Sequence, residues 1–410
     1  MKSLLKYSAI ALALFTAQQT SAVDIVVTGS TAFRSSTHNA IINMMGGAPS
    51  VRIAHSHASS LSSANQSTFK GSIPGITGDV YVFCSWSGSA TGVIAVAGTT
   101  PVSVVPAATV DAVTLGTTQA GAAASTTKTP RIAFSDVYKE STSAASASLT
   151  NQNMAVIPFR FLRNRVDAGD PNGNNAAIAQ FTNVTAQHFR AVYGNSSQPL
   201  SLFTGDPNHF TLVLPMGRDN GSGTRITVMA ETKYGIGTPV VQWKGLSTTG
   251  SAGSGTLNSA QIWAVGDGTG STLAGNGGYS SGGTLVTNLG LTSNNFTGYD
   301  SDGVTEAIGP GEEVIILGYA GLSDASAAIT SGAIALKYEG FDYSAAAVQN
   351  GQYTLWGYLH AYYPTLNADE TTFKNAVATQ FSNAGTLGSN GITLSSMNVS
   401  RQTDGAVVGP

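Results

Sequence analysis

The segment RDNGSGTR, residues 218–225, combines three kinds of group that bind a small oxyanion. Arg218 provides a planar cation whose paired N–H groups fit two oxygens. The glycines let the backbone approach a ligand closely, and the serine and threonine add compact hydroxyl donors. A strand-like run, 209–217, precedes the segment, and a helical pattern over 226–235 follows it. We therefore expect the segment at a helix N-terminus, where anions are stabilised.

Two earlier segments have part of this composition and also follow a predicted strand. TGSTAF, residues 28–33, follows the β-branched run 23–27, and SWSGSATG, residues 85–92, follows the alternating run 80–84. Both runs are typical of buried strands, and the first segment leads into a helical pattern over 35–45. Such strand–loop–helix units direct backbone N–H groups at the start of the helix. The chain thus has three loops suited to an oxyanion.

Asp136 is a candidate proton acceptor for such a site. It stands near the end of a predicted strand within RIAFSDVY, residues 131–138. A carboxylate only accepts hydrogen bonds when ionised, so in an oxyanion pocket it repels sulfate but accepts the proton of hydrogen phosphate. A turn or cap residue is the alternative interpretation of Asp136.

Taken in order, these segments resemble those of the substrate-binding proteins of ABC-type phosphate transporters. The most specific feature is an arginine followed three residues later by Gly-Ser-Gly-Thr, here Arg218 and residues 221–224. The other resembling segments are TGSTAF, SWSGSATG, FSD, NVTAQHFRAVYG (183–194), ILGYAG (316–321) and NGQYTLWGYLHAYY (350–363). Together they are spread over most of the chain that follows its N-terminal segment.

The resemblance implies a set of phosphate contacts. They are the Thr31 hydroxyl and the backbone N–H of Ala32 or Phe33, the hydroxyl of Ser87 or Ser89, the Asp136 carboxylate, the Arg218 guanidinium, and donors from Ser222, Gly223 and Thr224. The chain departs from the family at two places. Asn220 stands where the family usually has an acid that holds the arginine, with Asp219 beside it, and Thr354 stands where the family often has proline.

Alternating strand and helix patterns predict an α/β protein. The resemblance implies a two-lobed, type II periplasmic-binding-protein fold in which each lobe is a mixed sheet flanked by helices. The expected division is a signal peptide over 1–22, a first part of lobe I over 23–152, lobe II over 153–319, and a second part of lobe I over 320–410.

The composition excludes several functional classes. The 410 residues carry a formal net charge of −3, which does not suit a nucleic-acid-binding protein. Cys84 is the single cysteine, so neither an intramolecular disulfide nor a cysteine-based metal site can form. It stands in an alternating strand pattern and is expected to be a buried structural thiol. We expect no metal and no cofactor.

The N-terminus is typical of a secretory signal peptide. Lys2 and Lys6 precede a short apolar run, 9–15, and small residues follow up to Ala22. The apolar run is too short to cross a bilayer, and no later run reaches the length of about 20 apolar residues that a spanning helix needs. A periplasmic or secreted protein that does not span the membrane is expected.

Two segments exceed what a minimal transporter component requires. Residues 99–129, rich in Thr, Ala and Val, are expected to form a hairpin or loop insertion. Residues 245–302, rich in Gly, Ser, Thr and Asn, are either a long loop beside the site or a surface elaboration.

Two functions remain open from the sequence. The first is phosphate binding by lobe closure without catalysis, as a component of ABC-type uptake with a membrane permease as partner. The alternative is an extracellular structural or adhesive protein that keeps the fold without the ligand, which the low charge and the Gly/Ser-rich segments favour. A hydrolase is a third interpretation, but no general base accompanies the Ser/Thr loops in sequence.

Overall fold

The computed structural model describes residues 22–169, 171–268 and 270–410. The predicted signal peptide therefore lies outside the described residues, apart from Ala22. The strands are β1 Val23–Gly29, β2 Arg52–His55, β3 Gln66–Gly71, β4 Val80–Trp86, β5 Val102–Val104, β6 Thr118–Gln119, β7 Thr126–Lys128, β8 Ile132–Ser135, β9 Thr150–Arg163, β10 Asn183–Val184, β11 Gln198–Pro199, β12 Leu212–Pro215, β13 Trp243–Thr249, β14 Thr256–Ile262, β15 Phe296–Tyr299, β16 Glu306–Glu312, β17 Val314–Gly321, β18 Ile334–Ala335, β19 Lys337–Tyr338 and β20 Trp356–Tyr363.

Helices alternate with these strands, as the sequence pattern predicts. They are α1 Arg34–Met44, α2 Ser89–Ala97, α3 Ala107–Asp111, α4 Asn175–Ile178, α5 Ala186–Asn195, α6 Ser201–Thr204, α7 Gly223–Glu231, α8 Gly282–Leu289, α9 Leu322–Thr330, α10 Ala345–Gln349, α11 Ala368–Phe381 and α12 Ala384–Leu387. The predicted α/β class is thereby confirmed.

Most of the strands belong to one mixed sheet. Its strand order is β11-β12-β17-β9-β20-β8-β1-β4-β3-β2-β6, with β18 also on β9. The 14-residue strand β9 joins the two halves of the sheet: Thr150–Pro158 pair with β20, and Phe159–Arg163 pair with β17, both antiparallel. A strand that belongs to both halves can connect two lobes. The lobe boundaries at 152/153 and 319/320 stay a prediction.

Parallel pairing brings the first loop, the second loop and Asp136 to one edge of this sheet. Strand β1 lies parallel to both β4 and β8, with Gly29 opposite Trp86 and Phe134. These strands consist of apolar and β-branched residues and are almost wholly buried, which is why short runs without strict alternation form strands here. Because the strands run in the same direction, their carboxyl ends meet at the same edge, where ligands bind in open α/β sheets.

The Gly/Ser-rich segment is not a loop. Within it and just beyond it, β13, β14, β15 and β16 form a separate sheet, and α8 follows β14 in sequence. Trp243, Leu257 and Phe296 lie in a buried cluster with residues of β17 and α8. The sequence left two interpretations open for this segment, a long loop beside the site and a surface elaboration. Strands form in it because a few widely spaced apolar side chains, among many small polar ones, are enough to anchor them.

Residues 99–129 were expected to form a hairpin or a loop insertion. Strands β5 and β7 pair antiparallel, but α3 and β6 lie between them in sequence and β6 joins β2, so the segment is a structured insertion and not a simple hairpin. Cys84 is fully buried in β4, and burial raises the pKa of its thiol.

Candidate functional site

The predicted loops meet where α1, α2 and α7 begin. The Ala90 N–H of the second loop donates to the Gly221 carbonyl at 3.2 Å, and the Gly88 N–H donates to the Gly29 carbonyl at 3.0 Å. Gly88 adopts φ 115°, and a Cβ at this position would collide with the Gly221 carbonyl. Glycine is therefore required for the second and third loops to come this close.

Asp136 lies at the centre of the assembled loops. It is 1% exposed, and its carboxylate accepts a hydrogen bond from the Ser89 hydroxyl. Further hydrogen bonds come from the Ser30 and Thr224 side chains. Burial raises the pKa of Asp136 to about 6, although these hydrogen bonds and the nearby Arg218 oppose the shift. The carboxyl group thus stays mostly ionised at neutral pH in a setting rich in hydroxyl donors.

Arg218 is the buried cation of the site, at 2% exposure. Its Nε donates to the Tyr279 carbonyl at 2.9 Å, and its Nη2 donates to the Ser280 carbonyl at 3.0 Å and to Thr31 Oγ1 at 3.1 Å. Within the described ranges, no carboxylate lies at ion-pair distance from it. The cation is therefore fixed by neutral acceptors, while the carboxylates of Asp136, Asp219 and Asp324 act on it only from beyond ion-pair distance. An anion in direct contact with the guanidinium would be attracted to it.

Asp219 does not take over the role of the acid missing at Asn220. Its Oδ1 accepts the Gly221 N–H at 3.0 Å and so shapes the turn of the third loop. Burial raises the pKa of Asp219, with Arg218 opposing the shift. The restraint on Arg218 comes instead from the Gly/Ser-rich segment, through the two backbone carbonyls at 279 and 280. This segment is thus a working part of the site.

The third loop opens α7 as predicted. Ser222 caps the helix by accepting the Arg225 N–H at 3.4 Å, and Gly223 and Thr224 form its buried first turn. A Cβ at Gly223 would overlap the Asp136 carboxylate and the Ser89 hydroxyl. The N-terminus of α7 is therefore in direct contact with Asp136, where its dipole favours negative charge.

The structure brings together most, but not all, of the predicted residues. Thr31, Ser89, Asp136, Arg218, Gly223 and Thr224 are joined by the contacts above. The Ala32 N–H donates to Ser30 Oγ at 3.2 Å, and the Phe33 ring packs in the core against Phe381, which leaves only the Phe33 backbone for a ligand. Ser87 is exposed, so the second loop presents Ser89 to the acid rather than Ser87.

Sequence reasoning missed several residues around Arg218. Ser30 supports Asp136, and the Arg225 guanidinium donates to the Arg218 carbonyl at 3.2 Å and to Asn276. Arg34 and Asp324 interact electrostatically with Arg218 as well. Arg34 and Arg225 stand at the ends of the segments TAFR and RDNGSGTR, and both are buried. In a chain with 10% charged residues, an arginine at the end of each of these segments was the sequence signal that could have identified them.

No group of three or more His, Cys, Asp or Glu side chains in the described residues is arranged to hold a metal ion. None of the helices that the structure describes is both long and apolar enough to cross a membrane.

Comparison with known proteins finds similarity among solved structures only. No family model and no curated protein matches the chain. An ABC-type phosphate transport receptor from Vibrio cholerae is 11% identical, with a TM-score of 0.43 over 90% of this chain and 99% of that chain. PstS from Borrelia burgdorferi is 12% identical, with a TM-score of 0.38 over 86% and 92% of the two chains. A high-affinity periplasmic phosphate-binding protein bound with phosphate is 13% identical, with a TM-score of 0.43 over 90% of each chain.

Proposed function

We propose that this protein binds inorganic phosphate, or a tetrahedral oxyanion of the same size, between the loops that Thr31, Ser89, Asp136 and Arg218 occupy. The observation that carries the proposal is Arg218: a buried guanidinium held by Thr31 and two carbonyls, with no carboxylate at ion-pair distance in the described residues. Keeping such a charge out of water is costly without a counter-ion. A small anion in the site would supply that counter-ion.

Asp136 supports phosphate over sulfate. Its buried carboxylate is within reach of the same donors as the anion, and its pKa of about 6 leaves it mainly ionised at neutral pH. An ionised carboxylate repels an unprotonated oxyanion but accepts the proton of hydrogen phosphate. The site is therefore expected to prefer phosphate or arsenate, each of which retains a proton at neutral pH.

Calorimetric titration of the purified protein with phosphate and with sulfate tests the proposal. We expect micromolar or tighter phosphate binding, a raised melting temperature with phosphate, and much weaker sulfate binding. Neither heat nor a melting shift with phosphate would overturn the proposal and would favour the structural or adhesive alternative.

The same proposal places the protein outside the cytoplasm as the binding component of phosphate uptake, with a permease as partner and without catalysis. The signal-peptide-like residues 1–22 support this location. N-terminal sequencing of the exported protein should begin at Val23, and phosphatase assays should show no turnover above a buffer blank. A cytoplasmic, uncleaved chain would contradict the proposed location.

A further inference from the structure

A cleft of about 600 Å³ opens beside the Arg218 site. Arg34 and Asn65 line one wall, and Tyr279, Ser281 and Thr284 line the other. The two carbonyls that hold Arg218 belong to Tyr279 and Ser280, so the second wall is continuous with the proposed phosphate site. An isolated phosphate ion has no need of this additional volume.

Arg34 is a second buried cation, and it lines this cleft. It is 6% exposed, its Nε donates to the Ser62 carbonyl at 2.7 Å, and its Nη1 donates to Asn65 Oδ1 at 2.6 Å. In the part of the chain that the structure describes, its Nη2 has no hydrogen-bond partner and no carboxylate lies at ion-pair distance. Burial lowers the pKa of Arg34 to about 10, so the guanidinium stays charged at neutral pH.

The facing wall also favours negative charge. Helix α8 begins there, and its cap Ser281 accepts the Thr284 N–H at 3.2 Å. Gly283 and Thr284, in the first turn of this helix, line the cleft. A helix N-terminus opposite a fixed guanidinium is suited to bind an anionic group.

One acid moderates this charge. Asp324, in the first turn of α9, packs its carboxylate against Gly282 behind the start of α8, and it is attracted to both Arg34 and Arg218. His57, at the exposed rim, accepts the N–H groups of Ser59 and Ser60 through Nδ1. Asp324 is thus the acid that acts on both cations, and Arg218 also interacts with Asp136 and Asp219.

We propose that the ligand carries a second anionic group next to its phosphate, and that this group occupies the cleft between Arg34 and the start of α8. The inference rests on the proposed function and narrows its substrate class to compounds such as pyrophosphate, the smallest of them. Arg34 follows Thr31, the partner of Arg218, by three residues, which brings both cations to the first loop.

Titration calorimetry with inorganic phosphate and with pyrophosphate, under matched buffer and salt, tests the inference. Wild-type protein should bind pyrophosphate at least as tightly as phosphate. Arg34→Gln should weaken pyrophosphate binding by about tenfold to a hundredfold, the range for a lost charge-assisted hydrogen bond, and leave phosphate binding nearly unchanged. The pyrophosphate affinity of Arg34→Lys should lie between those of the wild type and Arg34→Gln. Arg131→Gln, which removes a partly exposed arginine before the other end of β8, is the matched control.

If circular dichroism shows that Arg34→Gln does not fold, Asp324→Asn provides a second test. Removal of the acid should strengthen pyrophosphate binding relative to phosphate, because the two cations then lose their competitor. Phosphate binding without pyrophosphate binding, or an equal effect of the variants on both anions, would overturn this inference and leave the proposed function intact. Failure of both anions to bind would remove the proposed function itself.

Discussion

The Arg218 guanidinium and the Thr31 hydroxyl lie 3.1 Å apart although 187 residues separate them in the chain. This contact joins the first loop, which follows β1, to the third loop, which opens α7. The same guanidinium holds two carbonyls of the Gly/Ser-rich segment. Arg218 thus connects three distant parts of the chain at the point where we propose that the anion binds.

Replacement of Thr31 by valine tests the contact itself. Valine keeps the shape of threonine but cannot accept the hydrogen bond from Arg218 or donate one to an anion. We expect phosphate affinity to fall about tenfold to a hundredfold, since hydrogen bonds to charged groups contribute about 1.5–3 kcal/mol. Thr31→Ser retains the hydroxyl and should bind nearly as wild type in the same calorimetric titration. Equal affinities for the two variants would contradict the assigned role.

Arg218→Met should abolish the phosphate-dependent rise in melting temperature. It also removes one of the two donors of the Tyr279 carbonyl, which still accepts the Asp219 N–H at 3.2 Å, and the Arg218 donor of the exposed Ser280 carbonyl. The ligand-free protein should therefore lose about 1 kcal/mol of stability. Urea unfolding and phosphate titration measure the two effects separately. Arg131→Met, at the surface, should leave phosphate binding intact. Retained phosphate binding in Arg218→Met would show that the anion binds elsewhere.

Asp136 makes stability depend on pH in a defined direction. Its folded pKa, about 6, lies above its ordinary value of 3.8, because burial disfavours the ionised form. The unfolded chain therefore loses its proton first, and the ligand-free protein should lose stability as pH rises from about 4 to 6, by up to about 3 kcal/mol. Asp136→Asn should remove this loss.

Urea unfolding of Asp136→Asn and wild type across that range measures the effect as a difference between the two proteins. This comparison matters because Asp404, whose pKa burial raises to about 7, titrates in a neighbouring range in both. Asp79→Asn, at a largely exposed carboxylate, is the control and should track wild type. A pH-independent difference between Asp136→Asn and wild type would refute the assignment.

The same Asp136→Asn variant should lose selectivity between anions. An amide can donate a hydrogen bond where the carboxylate could only accept one, so sulfate is no longer repelled. We expect the ratio of phosphate to sulfate affinity to fall by at least about tenfold, mainly through tighter sulfate binding. Competition titrations at neutral pH provide this ratio, and an unchanged ratio would place the source of selectivity elsewhere.

Gly223→Ala should disrupt the site through a single methyl group. The new Cβ would overlap the Asp136 carboxylate and the Ser89 hydroxyl, so the start of α7 or the acid must move. Phosphate affinity should fall about a hundredfold, as expected when binding groups are displaced by about 1 Å. Gly237→Ala, where a Cβ meets no atom within 4 Å, is the matched control. Comparable affinities for the two alanine variants would contradict the predicted geometry.

Local sequence patterns determined the elements and much of the candidate site. The runs before residues 29, 86 and 136 formed buried strands, and the helical pattern over 35–45 corresponds to α1. Thr31, Asp136, Arg218 and Thr224 come together as the motif order implied. These predictions succeed because a strand that ends in a small-residue loop places that loop at a sheet edge whatever the rest of the chain does.

Only the tertiary structure decided what surrounds Arg218. Its acceptors are backbone carbonyls 61 and 62 residues away, and a carbonyl has no side-chain signature in sequence. The choice of Ser89 over Ser87 depends on where α2 begins, a difference of half a helical turn. Arg34 became a candidate binding residue only because the fold placed a cleft beside it. Such relationships arise from long-range packing of small polar segments, whose composition is compatible with a loop, a strand or a binding site until their neighbours are fixed.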